Sequence, residues 1–316
     1  MVVLVIDGNE NPLMTSSVDV GPHSIDLLHM GVPGAIAAWA VEGPQGWVLI
    51  ESGPSCTGET LDQGLRDLGV EPEQLAALLL THIHLDHGGG AWRFAKRGVP
   101  VYVHAAGAKH LIDPSRLERS SRLIFGDRYE SLWGSMHPCD ASLVHAVGDG
   151  DVIKAGGLEF EVIETLGHAN HHHAWYLRTG SEAAGGLFSG DAAAMRVPGT
   201  DWLTLPMPPP EFDLDVWMES IDRIESGPWR RLHLTHGGTV EDIPSHCEQL
   251  RASMRSQVAW VSESSGEDRE DRYRAMLWEQ ASTFDVPREL FDAHITPGLL
   301  GMNLTGIDRW ASKQGE

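Results

Sequence analysis

The sequence predicts an α/β protein, and three observations carry that expectation. Short apolar stretches of strand character alternate with stretches of helical spacing as far as about residue 240. Several of those strands end abruptly in polar, histidine-bearing segments, and beyond Gly237-Gly238 the pattern is helical almost to the end. The expected organisation is therefore an α/β domain over 1–240 and a helical extension over 241–316.

Residues 2–6, Val-Val-Leu-Val-Ile, read as a first strand rather than a signal peptide, since they lack a basic start, a long apolar core and a small-residue cleavage site. Residues 35–41 and 47–51 are strands joined by the turn Gly43-Pro44-Gln45-Gly46, an antiparallel opening. Helical spacing over 60–68 stops at Gly69, placed as a C-cap, and the apolar run 75–80 is a buried strand that feeds a polar loop. A short helix over 91–97, a strand over 99–104 and a helix over 105–112 follow, the last stopped by Asp113-Pro114. Residues 115–140 mix Arg, Ser and aromatics and give no clear period. Strand patterns return at 158–165, 172–177 and 186–188. A Pro-rich segment over 205–210 then precedes a helix over 213–225 and a last short strand over 232–235.

The composition excludes several classes of function. With 23 Lys+Arg against 45 Asp+Glu, the net charge is −22, and no cationic cluster offsets it, so no nucleic-acid partner is expected. Cys56, Cys139 and Cys247 are odd in number and form no Cys-x-x-Cys pair, which points away from disulfides and towards a reducing cytoplasm. No apolar run reaches the roughly 20 residues of a membrane span, so a soluble protein without a membrane partner is expected. Most of the 11 tryptophans are expected to serve packing rather than substrate stacking.

The chemistry concentrates in His82-Ile83-His84-Leu85-Asp86-His87, followed by Gly88-Gly89-Gly90. Four metal-competent side chains within six residues come directly after a buried strand, at a spacing that can divide them between two neighbouring ions. Leu80-Thr81-His82 and Leu234-Thr235-His236 also echo each other, each placing a histidine where an apolar strand ends. Two strand ends that deliver His to one edge are a means of building a site in a layered α/β fold.

On these residues the chain resembles the metallo-β-lactamase superfamily, whose hallmark is His-x-His-x-Asp-His after a strand. The likeness runs over roughly residues 30 to 240, with Gly167-His168, Ser189-Gly190-Asp191 and Thr235-His236-Gly237 following in the family's order. It implies a four-layered αββα sandwich with the C-terminal helical extension appended. It also implies a dinuclear centre, with His82, His84 and His168 on one metal, Asp86, His87 and His236 on the other, and Asp191 between them. Imidazoles and carboxylates without sulfur suit two Zn²⁺ per chain, iron or manganese being alternatives. The implied reaction is hydrolysis of a small ester, thioester or lactone by a metal-bridging hydroxide, with Asp86 or Asp191 managing the proton, as in glyoxalase-II-like and lactonase-like enzymes. Hydrolytic dehalogenation, phosphodiester or RNA cleavage, and single-iron persulfide dioxygenation are alternatives within the same superfamily.

Two departures and three ambiguous segments complete the reading. Glu51-Ser52-Gly53 stands where the family usually has Asp-x-Gly, and Glu51 is expected behind the ligands, supporting the metal loop through hydrogen bonds. Leu166 replaces a proline common before Gly-His. For His171-His172-His173, strand alternation predicts that at most one approaches the metals. The segment containing Trp202, Leu205, Met207 and Pro208 would overhang the metal edge, as a pocket wall or a plain connector. The helical tail would cover the site or form a homodimer surface.

Overall fold

The computed structural model describes residues 21–179 and 185–314, so the strand expected at 2–6 lies outside the described residues. The chain enters on β1 (His23–Asp26), antiparallel to β2 (Ala37–Gly43), which turns through Pro44-Gln45 into β3 (Gly46–Ile50) with Gly43 paired to Gly46. Helix α1 (Gly58–Asp67) buries Leu61 and Leu65, four residues apart on one face. Then come β4 (Leu75–Leu79), α2 (Leu85–Gly88), α3 (Ala91–Ala95), β5 (Val101–His104), α4 (Ala105–Ile112), α5 (Ser115–Phe125), α6 (Tyr129–Leu132) and β6 (Val144–Val147). These strands form one sheet in the order β1-β2-β3-β4-β5-β6.

The second half begins with β7 (Val152–Ala155), β8 (Leu158–Glu164), β9 (His173–Thr179) and β10 (Gly186–Phe188). It continues through the small pair β11 (Met195–Arg196) and β12 (Leu203–Thr204), α7 (Leu214–Ser226), β13 (Arg231–His233) and β14 (Thr239–Val240). Asp213 caps α7 by accepting from the Asp215 and Val216 N–H groups. The second sheet has the order β14-β13-β10-β9-β8-β7. The tail is helical: α8 (Ile243–Glu263), α9 (Arg269–Ser282), α10 (Arg288–His294) and α11 (Pro297–Gln314).

Strand alternation sorts the apolar side chains into three cores and so produces four layers. In β3, Trp47 and Leu49 face α1 and α3, whereas Val48 and Ile50 face the other sheet. Phe160, Trp175, Leu177 and Phe188 answer them from the second sheet, closing the central core. Ala174 and Leu187, on the opposite face of that sheet, pack in one cluster with Trp217 of α7, Leu250 of α8, Leu277 of α9, Phe291 of α10 and Ile307 of α11. The architecture is the αββα sandwich, with the tail helices forming much of its outer layer. No helix among the described residues is long and apolar enough to cross a membrane.

The expected elements recur with ends shifted by a few residues, and the differences have simple causes. Residues 115–140 contain α5 and α6, whose sparse burial hides the helical period. β1, β6, β7 and β14 are two to four residues long and lie at sheet edges, too short for a pattern to register.

Candidate metal centre

The site lies where strands of both sheets end. Glu51 follows β3, residues 81–87 follow β4, His168 lies in the loop after β8, Asp191 follows β10, and His236 follows β13. The loop carrying His87 is strapped to the neighbouring strand end, since the Ser52 N–H and Oγ both donate to the His87 carbonyl, at 2.9 and 2.8 Å. Gly190 has φ +50, and a Cβ there would sit 2.5 Å from Thr81 Oγ1 and 2.7 Å from His172 Nε2. Only glycine lets the Asp191 turn lie this close to the ligand loop.

Backbone and hydroxyl partners fix which nitrogen of each imidazole carries its proton. His168 Nδ1 donates to the Pro206 carbonyl at 2.9 Å, His236 Nδ1 to the Ala35 carbonyl at 2.5 Å, and His87 Nδ1 to Glu51 Oε1 at 3.0 Å. Thr81 spends its hydroxyl proton on Glu51 Oε1 at 2.5 Å, so at 3.1 Å it accepts from His82 Nδ1. All four rings therefore turn an Nε2 lone pair inward.

Those lone pairs fall into two sets. His82 Nε2 and His168 Nε2 each lie 2.9 Å from His84 Nδ1. A single proton on His84 could serve only one neighbour well, whereas a cation accepts from all three. In the second set, His87 and His236 place their Nε2 atoms 3.4 Å apart, each 3.3 Å from Asp191 Oδ1 and 3.7 and 3.6 Å from Asp86 Oδ2. Asp191 Oδ1 is buried without a hydrogen bond, while its Oδ2 faces the first set, 3.3 Å from His168 Nε2 and 4.0 Å from His82 Nε2. Asp191 thus touches both sets. The donor atoms within each set are close enough together to hold a metal ion. Buried imidazole nitrogens that face one another and a buried carboxylate, with no other protein donor among them, fit an unsatisfied demand for cations.

Electrostatics divide the two sets in the same way. Burial, reinforced by neighbouring imidazoles, holds His82 and His84 well below the usual histidine range. Burial also lowers His168, with Asp191 opposing it in part. Burial acts against the charged form of His87 and His236 as well, yet Asp191 and Asp86 outweigh it and both are raised. Burial would raise Asp191, but His87, His168 and His236 hold it well below the carboxylate range.

Glu51 sits behind His87 and the Thr81-His82 segment. Fully buried at φ +65, it accepts from the Thr81 hydroxyl, His87 Nδ1 and, at 3.3 Å, the Thr235 hydroxyl through Oε1, and from the Thr81 N–H at 3.3 Å through Oε2. Four donors on one carboxylate hold loops from both sheets to a common point.

The histidine run departs from the expectation of a strand, because only His173 lies in β9. His172 precedes it and is closed on both nitrogens: Nε2 accepts the Asp191 N–H at 3.1 Å, and Nδ1 donates to Thr165 Oγ1 at 2.8 Å. His171 pairs with Glu211 at 3.2 Å beside the His84 ring, and these three form a further metal-competent group. His173 points away, buried against His104 and Trp175. Sequence reasoning missed His172 as the support of Asp191, and missed Glu211 altogether. His246 of α8 was also missed; its Nε2 lies 2.8 Å from the Ala193 carbonyl on the Asp191 turn. Glu211 and His246 fall in no motif, and nothing in the histidine run marks out His172.

Residues 31–239 match the model of the metallo-beta-lactamase superfamily. The chain belongs to that superfamily. Among its relatives is the metallo-beta-lactamase fold-containing protein ST1585 of Sulfurisphaera tokodaii, 27% identical over 245 residues that cover 75% of this chain and 87% of the relative. A hydroxyacylglutathione hydrolase of Jannaschia sp. is 31% identical over 129 residues, which cover 40% of this chain and only 36% of that enzyme. The crystal structure of ST1585 superposes with a TM-score of 0.66 at 23% identity, covering 91% and 98% of the two chains. A metallo-beta-lactamase family protein of Thermus thermophilus, TTHA1429, gives 0.65 at 21% identity, covering 93% and 94%. These superpositions establish the metallo-β-lactamase fold. Members of this superfamily are mostly metal-dependent hydrolases, and the His/Asp clusters of this one are candidate metal ligands.

Proposed function

We propose that this protein is a dinuclear zinc hydrolase acting on an ester, thioester or lactone of a small molecule. The observation that carries the reading is the convergence of two sets of lone pairs, His82/His84/His168 and Asp86/His87/His236, on the single carboxylate of Asp191. When bound there, two Zn²⁺ ions supply Lewis acidity, activating water and polarising the bond under attack. The chain's own residues do the rest. Asp191 aligns the two sets and His172 fixes its backbone. Asp86, whose side chain is 25% exposed where Asp191 is 3%, is the carboxylate of the two that a substrate arriving from solvent meets first. The glutathione thioester in the name of the partial relative supports the thioester class. The net charge of −22 weighs against RNA as substrate, because long-range repulsion slows polyanions at low salt. A cytoplasmic location remains part of the proposal, on the cysteine usage.

The test is metal analysis together with a panel of thioesters, lactones, β-lactams and phosphodiesters. Near two zinc per chain with thioester or lactone turnover is expected, at a kcat/KM for a neutral substrate that varies little with salt. One iron per chain with oxygen consumption, or efficient RNA cleavage at low salt, overturns the reading.

A further inference from the structure

The ligand His168 is oriented from the last helix of the chain, 135 residues downstream in sequence numbering from 168 to 303. Its Nδ1 proton goes to the Pro206 carbonyl, and the peptide unit that contains this carbonyl also contains the Met207 N–H. That N–H donates to Asn303 Oδ1 at 2.8 Å. Asn303 Nδ2 donates to the Leu205 carbonyl at 2.7 Å, so the peptides on both sides of Pro206 are held by one side chain. Asn303 is fully buried in α11, in a layer where an amide needs partners on both ends. A peptide unit is a rigid plane, so its N–H cannot swing away from Asn303 without swinging the carbonyl away from His168. The arrangement Nδ1–H···O=C–N–H···Oδ1 is also a hydrogen-bond chain whose members polarise one another. Gly306, one turn further along α11, lies so close to the Met207 carbonyl that a Cβ would overlap it, which leaves the segment no room to retreat.

We propose that Asn303 is a positioning residue for His168: through the 206–207 peptide it keeps the His168 proton on Nδ1 and the Nε2 lone pair on the three-histidine set. The C-terminal helices are then part of the metal centre rather than a cover for it. This rests on the reading of His168 as a metal ligand, and the test separates the two claims.

The variant is Asn303→Leu, near in volume and unable to make either bond, with Asn303→Ala as the second variant if the first does not fold. Tyr273→Phe is the control. It removes a buried hydroxyl of the same helical layer, 2.5 Å from Gln257 Oε1 and 3.5 Å from Asn303 Nδ2, while leaving both bonds from Asn303 to the 205–207 backbone in place. In metal-free protein, ¹⁵N shifts of the His168 ring should report a proton on Nδ1 in wild type and in Tyr273→Phe, and a mixture of tautomers in Asn303→Leu. In chelator competition, Asn303→Leu should lose 10- to 100-fold in affinity for one of two zinc ions and stay within about twofold for the other. An unchanged His168 tautomer in Asn303→Leu, or zinc affinity altered no more than in Tyr273→Phe, overturns the positioning role. Wild-type protein that binds no zinc overturns the metal reading, while the ring shifts still decide the link from Asn303 to His168.

Discussion

Glu51→Gln is the most informative single change behind the ligands, because the two side chains have the same shape and differ in charge and in one acceptor. Three of the four donors on Glu51 converge on Oε1, so the glutamine oxygen will take that position and its NH₂ will face the Thr81 N–H, two donors against each other. The orphaned N–H costs about 1–3 kcal/mol, and the His87 bond falls from charge-assisted to neutral, a loss of about 1 kcal/mol. The imidazole that loses a carboxylate partner becomes a weaker ligand. Such losses lower metal affinity about 10- to 100-fold, or about 1.4–2.8 kcal/mol at about 1.4 kcal/mol per decade. The effect should fall mainly on the ion held with His87, since the carboxylate reaches His82 only through the Thr81 hydroxyl. Competition with a chelator of known affinity would show one step of zinc release weakened more than the other, and Asp191→Ala, which touches both sets, should be worse at both steps. Unchanged release in Glu51→Gln, or metal content and activity equal to those of Asp191→Ala, refutes the reasoning.

Three further outcomes are expected. Chelation should abolish turnover and lower the thermal midpoint, since an ion at a thousand times its dissociation constant stabilises by about 4 kcal/mol; unchanged turnover in the chelated protein counts against the metal centre. His171→Ala and His173→Ala should each keep close to two zinc per chain while His168→Ala loses at least one, because neither His171 nor His173 is among the rings converging on Asp191; elemental analysis of the three variants checks this. Finally, burial depresses His233 to about 3 and His246 to about 4, and neither ring belongs to a metal-competent group. A depressed histidine is neutral when folded and protonated when unfolded below about pH 6.5, so stability should fall as pH drops from about 6.5 towards 4, by up to about 1.4 kcal/mol per pH unit for each group. A denaturant midpoint flat across that window in metal-free protein contradicts the burial argument.

The parts of the site legible in the sequence were those that local spacing encodes. The run from His82 to His87 stands at the end of a strand whose apolar run marks it, whereas Asp191 and His168, each beside a Gly, were implied only by the resemblance. Glu51 was legible through the same resemblance, standing where the family usually has Asp-x-Gly. His172 was not, because the alternation rule was applied to residues that form a turn before β9 rather than the strand itself. Asn303 and His246 could not be read, since one polar residue within a helix gives no sign of which distant backbone it meets. Their partners lie 96 and 53 residues away. The Glu211 carboxylate was similarly silent, its meaning depending on where the Pro-rich segment brings it.

The hydrogen bond from His236 to the Ala35 carbonyl joins residues 201 positions apart, and that from Thr235 to Glu51 joins residues 184 apart. Neither can form until nearly the whole sandwich has closed, so the second set of side chains comes together late in folding. A metal ion added at the start of refolding would meet only the local histidines of residues 82–87 and should do little to the folding rate. The same ion bound after closure ties the first strand pair to the last, and an unfolding chain must release it before the halves separate. The benefit of metal should therefore appear as slower unfolding, making the centre a latch on the lifetime of the native state.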